Sequence, residues 1–251
     1  MTATDTHIEV AGVTLAYGDF LIQQDLSFRI RRGDVFIIMG GSGCGKSTVM
    51  RSLTGLLTPK TGRIFYDGTS FWEMSAAERA HSMRRFGVMY QSGALWSSMT
   101  LSENVSLPLE QYTPLSPEQV RAIAAYKLAL VGLRGFDDFY PSEISGGMQK
   151  RVGVARAMAL DPQVLFFDEP SAGLDPLSAR LLDELILELR ESLGTTMVVV
   201  THELASIFTI ADDAVFLDPE TKTMLTTGNP RELRDHSDIP KVRAFLNRGA
   251  S

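Results

Sequence analysis

The sequence predicts an α/β fold: a mostly parallel sheet, an antiparallel β region at the N-terminus and a helical insertion in the middle of the chain. Three observations predict it. Residues 35–39, 164–167 and 197–200 are short, wholly apolar runs, the pattern of strands buried on both faces of a parallel sheet. Between the second and third runs, Leu181, Leu182, Leu185, Ile186 and Leu189 recur at helical spacing, so strand, helix and strand form a parallel crossover. Upstream of all three, Val13, Leu15 and Tyr17 alternate with small or polar residues, and Leu26, Phe28 and Ile30 alternate with Ser27 and Arg29. That alternation predicts half-buried antiparallel strands.

In chain order, the apolar run 35–39 feeds directly into glycines and then a helix predicted over 48–56. The middle, from about 92 to about 150, reads as a mostly helical insertion. Within it Ser116-Pro117-Glu118-Gln119 combines a Ser cap, Pro in the first turn and Gln three residues after the cap, which starts a helix running to Leu130. The chain returns to β structure at 214–217, with a hairpin-like turn at Asp218-Pro219-Glu220. A polar tail from about 230 to 251 follows, in which Val242, Phe245 and Leu246 fall at helical spacing. No internal repeat, low-complexity tract or linker divides the chain, so 251 residues read as a single domain carrying an insertion.

Composition narrows the function. The chain is 44% apolar and 22% charged, which excludes disordered and fibrous classes. With 24 basic and 30 acidic residues it carries a net charge of −6, so it lacks the basic field that drives nucleic-acid binding. No apolar run approaches the ~18 residues of a membrane span. Residues 1–10 lack the regions of a signal peptide, which together lead to the expectation of a cytoplasmic chain. One cysteine, Cys44, permits no internal disulfide, in keeping with a reducing compartment.

The most specific motif is Gly40-Gly41-Ser42-Gly43-Cys44-Gly45-Lys46-Ser47-Thr48, which fits G-x-x-x-x-G-K-[ST] between a buried strand and a helix. Glycines let successive backbone N–H groups turn inward on a polyphosphate, and the helix start adds partial positive charge. Lys46 then bridges the β- and γ-phosphates and the Ser47 hydroxyl ligates Mg²⁺. Cys44 is read as a space-filler in this loop.

Asp168 and Glu169 follow the second buried run, at the strand end where open α/β sheets place ligands. Successive strand side chains point opposite ways, so the two carboxylates take different tasks. Asp168 suits the Mg²⁺ shell, directly or through water, and Glu169 suits orienting and deprotonating the water that attacks the γ-phosphate. His202 stands just beyond the third run, within reach of the γ-phosphate. Gln91, after Val88-Met89-Tyr90, sits at another strand end, from which it could reach Mg²⁺ or the attacking water. Ser145-Gly146-Gly147 opens a further helix and offers a second phosphate site. If that site lies at the far side of the insertion, it caps a nucleotide held by another copy, which implies a head-to-tail dimer with two buried nucleotides.

These residues, in this order and with Ser171-Ala172-Gly173-Leu174-Asp175, resemble the ATP-binding cassette family over almost the whole chain. The resemblance implies a P-loop NTPase core, ATP and Mg²⁺ as cofactors, a homodimer, and ATP hydrolysis coupled to transport through an integral membrane permease. It implies that Tyr17 stacks on adenine and that Asp175 couples the two sites across the dimer. The usual family signature reads Leu-Ser-Gly-Gly-Gln; here Ile144-Ser145-Gly146-Gly147-Met148 loses the amide and Gln149 is displaced by one. With 91–96, 131–135 and 242–246, this variant looks like the Mla (MCE-associated) subfamily, the ATPases of phospholipid transport between bacterial inner and outer membranes. That likeness implies an MCE-domain lipid-binding partner, a small regulatory subunit and a peripheral position on the cytoplasmic face of the inner membrane. It also implies that the string Ala94, Leu95, Trp96 and Met99 faces the permease. An importer of another small solute and a nucleotide-gated regulator without transport are the alternatives.

Overall fold

The N-terminal alternation folds into β1 (Thr6–Tyr17) and β2 (Phe20–Arg31), which pair antiparallel. The structure is a computed structural model that describes residues 5–91 and 93–248. Ser92, where the insertion is expected to begin, and 249–251, the end of the tail, lie outside the described residues.

After these strands come β3 (Val35–Gly40), α1 (Lys46–Leu53), β4 (Thr61–Tyr66), β5 (Thr69–Ser70), α2 (Ala76–Met83) and β6 (Phe86–Met89). The helical middle holds α3 (Leu101–Tyr112), α4 (Pro117–Leu130), a 3₁₀ turn (Pro141–Glu143) and α5 (Gly146–Ala157). The chain closes with β7 (Val164–Asp168), α6 (Pro176–Leu193), β8 (Thr196–Val200), α7 (Leu204–Ile210), β9 (Asp213–Asp218), β10 (Thr223–Gly228), α8 (Pro230–His236) and α9 (Pro240–Leu246).

Two sheets result. One is antiparallel, in the order β2-β1-β4-β5; the other has the order β10-β9-β3-β8-β7-β6, parallel except for the edge strand β10. The three apolar runs are thus central parallel strands. Because side chains alternate along a strand, each run feeds two cores. Phe36, Ile38, Phe166, Val198 and Val200 meet the antiparallel sheet, where Phe28 stacks on Phe36 at 5.4 Å between ring centres. Val35, Ile37, Met39, Leu165, Phe167, Met197 and Val199 meet the helices. Burying side chains of this size contributes about 2 kcal/mol each, so the two-sided burial holds the strand ends, and whatever they carry, in place.

Local boundaries differ from expectation in instructive ways. The helix after the glycine loop begins at Lys46, two residues early, because Gly45 at φ 94° turns the chain into the helix directly. It stops at Leu53 where 48–56 had been expected, since Gly55 at φ 85° ends it. Ser116 and Gln119 form the predicted capping box of α4. The expected limit of the insertion at 150 falls inside α5. In the tail, Val242, Phe245 and Leu246 are buried on the chain's own helical-side core, with Phe245 edge-on to Phe216 of β9 at 5.0 Å. Among the described residues, no helix is long and apolar enough to cross a membrane.

Candidate nucleotide-binding and hydrolytic site

The site is built at the C-terminal ends of β3, β6, β7 and β8. Gly40 ends β3 at φ 150°, and a Cβ there would lie 2.4 Å from the Leu217 carbonyl, so only glycine lets the loop leave the strand so close to β9. The loop closes at Gly45, where a Cβ would meet the Ile22 side chain at 2.6 Å. Lys46 is buried and its Nζ donates to the carbonyls of Gly40 and Gly41, each at 3.2 Å, which folds the ammonium back over the loop. Cys44 is buried as well. Burial pushes its thiol pKa up, so it packs as an apolar group and is not poised as a thiolate.

The two carboxylates diverge as strand geometry requires. Asp168 Oδ1 accepts a 3.0 Å hydrogen bond from Ser47 Oγ. Burial raises the Asp168 pKa and the Ser47 hydrogen bond opposes that rise. Glu169 leaves the strand at φ 47°, a left-handed conformation uncommon outside glycine, held by its N–H donating to the Val200 carbonyl at 2.8 Å. Its Oε1 lies 2.8 Å from His202 Nδ1, and its Oε2 is buried with no hydrogen-bond partner. Such an orphaned acceptor is costly unless something donates to it, as an attacking water would.

Gly43, Gly45, Lys46, Ser47 and Thr48 share one cavity of about 370 Å³ with Gln91, Glu169 and His202. Its chemistry fits a magnesium polyphosphate. Backbone N–H groups and a helix start would face an anion placed there, and Ser47 Oγ and Asp168 Oδ1, 3.0 Å apart, are hard oxygen donors of the kind Mg²⁺ would take alongside phosphate oxygens and water. Among the described residues no group of three or more His, Cys, Asp or Glu side chains could hold a metal by itself. A Mg²⁺ held there would take its remaining oxygens from phosphate and water.

The remaining candidates lie outside that cavity. Ser145 caps α5, its Oγ accepting from the Met148 N–H at 3.2 Å, with Gly147 packed near Ser178 of α6. Met148 packs against the helical-side core, while the displaced Gln149 donates from Nε2 to the Pro141 carbonyl at 2.8 Å, tying α5 to the 3₁₀ turn before it. Asp175 caps α6, accepting from the N–H groups of Leu177 and Ser178, both at 3.1 Å, and from the Ser178 hydroxyl. Tyr17 is exposed and its hydroxyl accepts from Arg51 of α1 at 3.2 Å. Trp96 is 61% exposed and so is not a core residue.

Several residues that shape the site carry no motif. Gln23 is fully buried, and its Nε2 donates to the Cys44 carbonyl at 2.7 Å and the Asp218 carbonyl at 3.1 Å, fastening the loop to the end of β9. Lys150 of α5 donates to the Gln91 carbonyl, and Arg156 donates to the carbonyls of Gly93 and Ala94, each at 2.7 Å. Gly153 permits the approach that makes these bonds, since a Cβ there would lie 3.3 Å from Gly93 Cα. The helix that starts at Ser145 is thus clamped to the Gln91 loop. The one sequence signal for this clamp is the glycine inside a helix, which marks a close approach without naming its partner.

A family model described as ABC transporter matches residues 23–172. The chain belongs to the ABC transporter family. It carries the family's ATP-binding cassette, with an antiparallel sheet packed on a P-loop α/β core. The cassette is 42% identical over 96% of its length to the Mycobacterium tuberculosis protein named probable ribonucleotide transport ATP-binding protein mkl, of which it spans 66%. The chain thus spans just under two thirds of that relative's length. It is 38% identical over 96% of its length to the Escherichia coli K12 intermembrane phospholipid transport system ATP-binding protein MlaF, covering 88% of it. The Haemophilus influenzae MlaF is 37% identical over 95% of the chain and 89% of that protein. In structure, the cassette resembles cbiO1 of Clostridium perfringens, part of an ABC transporter complex, with a TM-score of 0.85, 28% identity and 97% of each chain covered. It also resembles the cassette MJ0796, solved as a dimer in a post-hydrolysis state with ADP and Pi, with a TM-score of 0.78, 29% identity, and 88% of this chain and 98% of that one covered.

Proposed function

We propose that this cassette is the ATP-hydrolysing subunit of a membrane transporter, and that its cargo is phospholipid moved between bacterial inner and outer membranes. The observation that carries the catalytic reading is the geometry around one cavity: Ser47 on Asp168, and His202 on a Glu169 whose second oxygen is buried and free to accept.

The loop N–H groups and Lys46 bind the β- and γ-phosphates, Lys46 exchanging two carbonyl contacts for phosphate oxygens. Ser47 and Asp168, with Gln91 at the rim, would hold Mg²⁺, which would supply neutralisation of the charge on those phosphates. Glu169 accepts the proton of the attacking water. His202 orients Glu169 through the 2.8 Å contact and lines the same cavity as the phosphate loop. Ser145, Gly146 and Gly147 of a second copy close over the nucleotide from outside, in keeping with their position away from this chain's own cavity and with the dimeric cassettes it resembles. Tyr17 stacks on adenine and Asp175 lies at the junction of the two copies.

The cargo reading is supported by 37% and 38% identity to MlaF proteins over nearly the whole chain. A permease, an MCE-domain lipid-binding protein and a small regulatory subunit are its expected partners, with the cassette on the cytoplasmic face of the inner membrane. Exposed Trp96 and a neighbouring groove of about 370 Å³ between Met83, Val88, Pro108, Tyr112 and Arg156 give a permease helix somewhere to dock. Ribonucleotide transport, for which the mycobacterial relative is named, is the competing cargo.

Affinity purification of the tagged chain from its native membrane, with identification of co-purifying proteins and lipids, tests this reading. An MCE-domain protein with a lipid-loaded permease is the expected result. A solute permease without lipid leaves the ATPase chemistry standing and rejects the cargo.

A further inference from the structure

The main-chain carbonyl of His202 accepts a 2.9 Å hydrogen bond from Arg248 Nη2, 46 residues further along the chain. Among the described residues, the loop that carries His202 has few other hydrogen bonds. Thr201 Oγ1 accepts from the Glu203 N–H at 3.1 Å, and α7 begins at Glu203 without a side-chain cap. The imidazole stands between two carboxylates, with Nδ1 2.8 Å from Glu169 and Nε2 3.7 Å from Glu203. The ring is thus placed between Glu169 and a second, exposed carboxylate.

Arg248 is itself anchored. Its guanidinium lies 3.9 Å from the centre of the Phe245 ring, and Phe245 packs edge-on against Phe216 of β9. Val242 and Leu246 on the same helix are buried in the core, and at the far end of α9 Lys241 pairs with Asp218 at 2.5 Å and Glu220 at 3.0 Å. The helix is thus fixed at both ends, to β9 and to the His202 loop. Asp218 in turn shares Gln23 with the phosphate loop.

We propose that Arg248 is a positioning residue for His202, through which α9 sets the geometry of the Glu169–His202 pair. The positional claim stands on the geometry; its consequence for turnover rests on the ATPase reading above. A charged donor on a main-chain carbonyl is the stronger kind of hydrogen bond, and it is made to the residue whose ring must be held.

The test uses the full chain with Arg248→Ala, Arg248→Lys and Phe245→Leu. In nucleotide-free protein labelled at its 4 histidines, with His202 assigned from His202→Gln, Arg248→Ala is expected to move the His202 ring resonances and leave the other histidines and Tm unchanged. In steady state kcat falls roughly fivefold while KM for ATP stays within about twofold. Arg248→Lys restores part of both, and Phe245→Leu, which removes the ring beneath the guanidinium, shows a smaller version of the same shift. His202 resonances that stay in place in Arg248→Ala overturn the proposal. So does a change in which kcat and Tm fall while KM rises, the mark of a general structural role. Wild-type chain that does not hydrolyse ATP rejects the ATPase reading instead, and the resonances still judge the position of His202.

Discussion

His202 Nδ1 lies 2.8 Å from Glu169 Oε1, joining the ends of two neighbouring parallel strands across 33 residues of sequence. The contact leaves one Glu169 oxygen for His202 and the other, buried and unpartnered, for a donor in the cavity. That division leaves one carboxylate oxygen oriented and the other able to accept from a water within hydrogen-bond reach.

Removing the carboxylate proposed as the base tests the chemical step. Glu169→Gln is expected to lower steady-state hydrolysis at least about a hundredfold while ATP binding persists. Turnover at the wild-type rate, followed by phosphate release, would show that Glu169 is not the base.

The phosphate-loop lysine should govern affinity. Lys46→Ala removes the charged donor that now covers Gly40 and Gly41, and ATP affinity is expected to fall about tenfold to a hundredfold. Titration with a fluorescent ATP analogue reads this directly, and circular dichroism should show the fold intact.

Gln23 should matter more to stability than its place on an ordinary strand suggests. Gln23→Leu keeps the bulk and strands the carbonyls of Cys44 and Asp218 without their donor, at a cost of about 1 to 3 kcal/mol each where burial stays complete. A lower midpoint in urea unfolding is the expected result. An unchanged midpoint would mean that the loop relaxes to find water.

Close packing of α5 on β6 gives a steric prediction. A Cβ at Gly87 would lie 2.1 Å from the Ala157 carbonyl, so Gly87→Ala must push the helix away from the strand. Overpacking of this kind costs about 1 to 3 kcal/mol, which lowers Tm by several degrees in a calorimetric scan.

At the opposite end of the sheet, buried His7 makes a pH-dependent contribution. Burial, with the Arg32 guanidinium nearby, holds its pKa at about 4 against an ordinary 6.5. Its contribution is therefore full above pH 6.5 and is lost as pH falls towards about 4, because the unfolded chain takes up a proton that the folded chain refuses. The loss is on the order of 2 kcal/mol. Asp183, pushed up to about 6 by burial, acts with the opposite sign over much of this window. Urea unfolding of wild type and His7→Gln at about pH 7.5 and about pH 4.5 should show the wild-type advantage shrinking at the lower value.

Gly40 to Thr48, Asp168, Glu169 and His202 were legible in the sequence because each follows a wholly apolar run. Such a run, short and flanked by glycine or polar residues, reads as a doubly buried strand, and in an open α/β sheet its carboxyl end is the ligand edge. The helix start at Ser116 was legible for a similarly local reason, since cap and capping-box residues act within one turn. No such local rule reaches Gln23, Lys150, Arg156 or Arg248. Each is a single polar residue on an otherwise ordinary strand, helix or tail, and its partners lie between 21 and 195 positions away.

By itself, then, the sequence determined the parallel core, the phosphate loop and the strand ends that carry the candidate site residues, because backbone periodicity and glycine sterics act over a few residues. Only the tertiary structure decided which carbonyl each buried donor reaches, that Met148 turns to the core while Gln149 holds the 3₁₀ turn, and that the tail's last helix reaches the His202 loop. Those outcomes depend on how two sheets and their helices pack, and packing distance is not written in sequence distance.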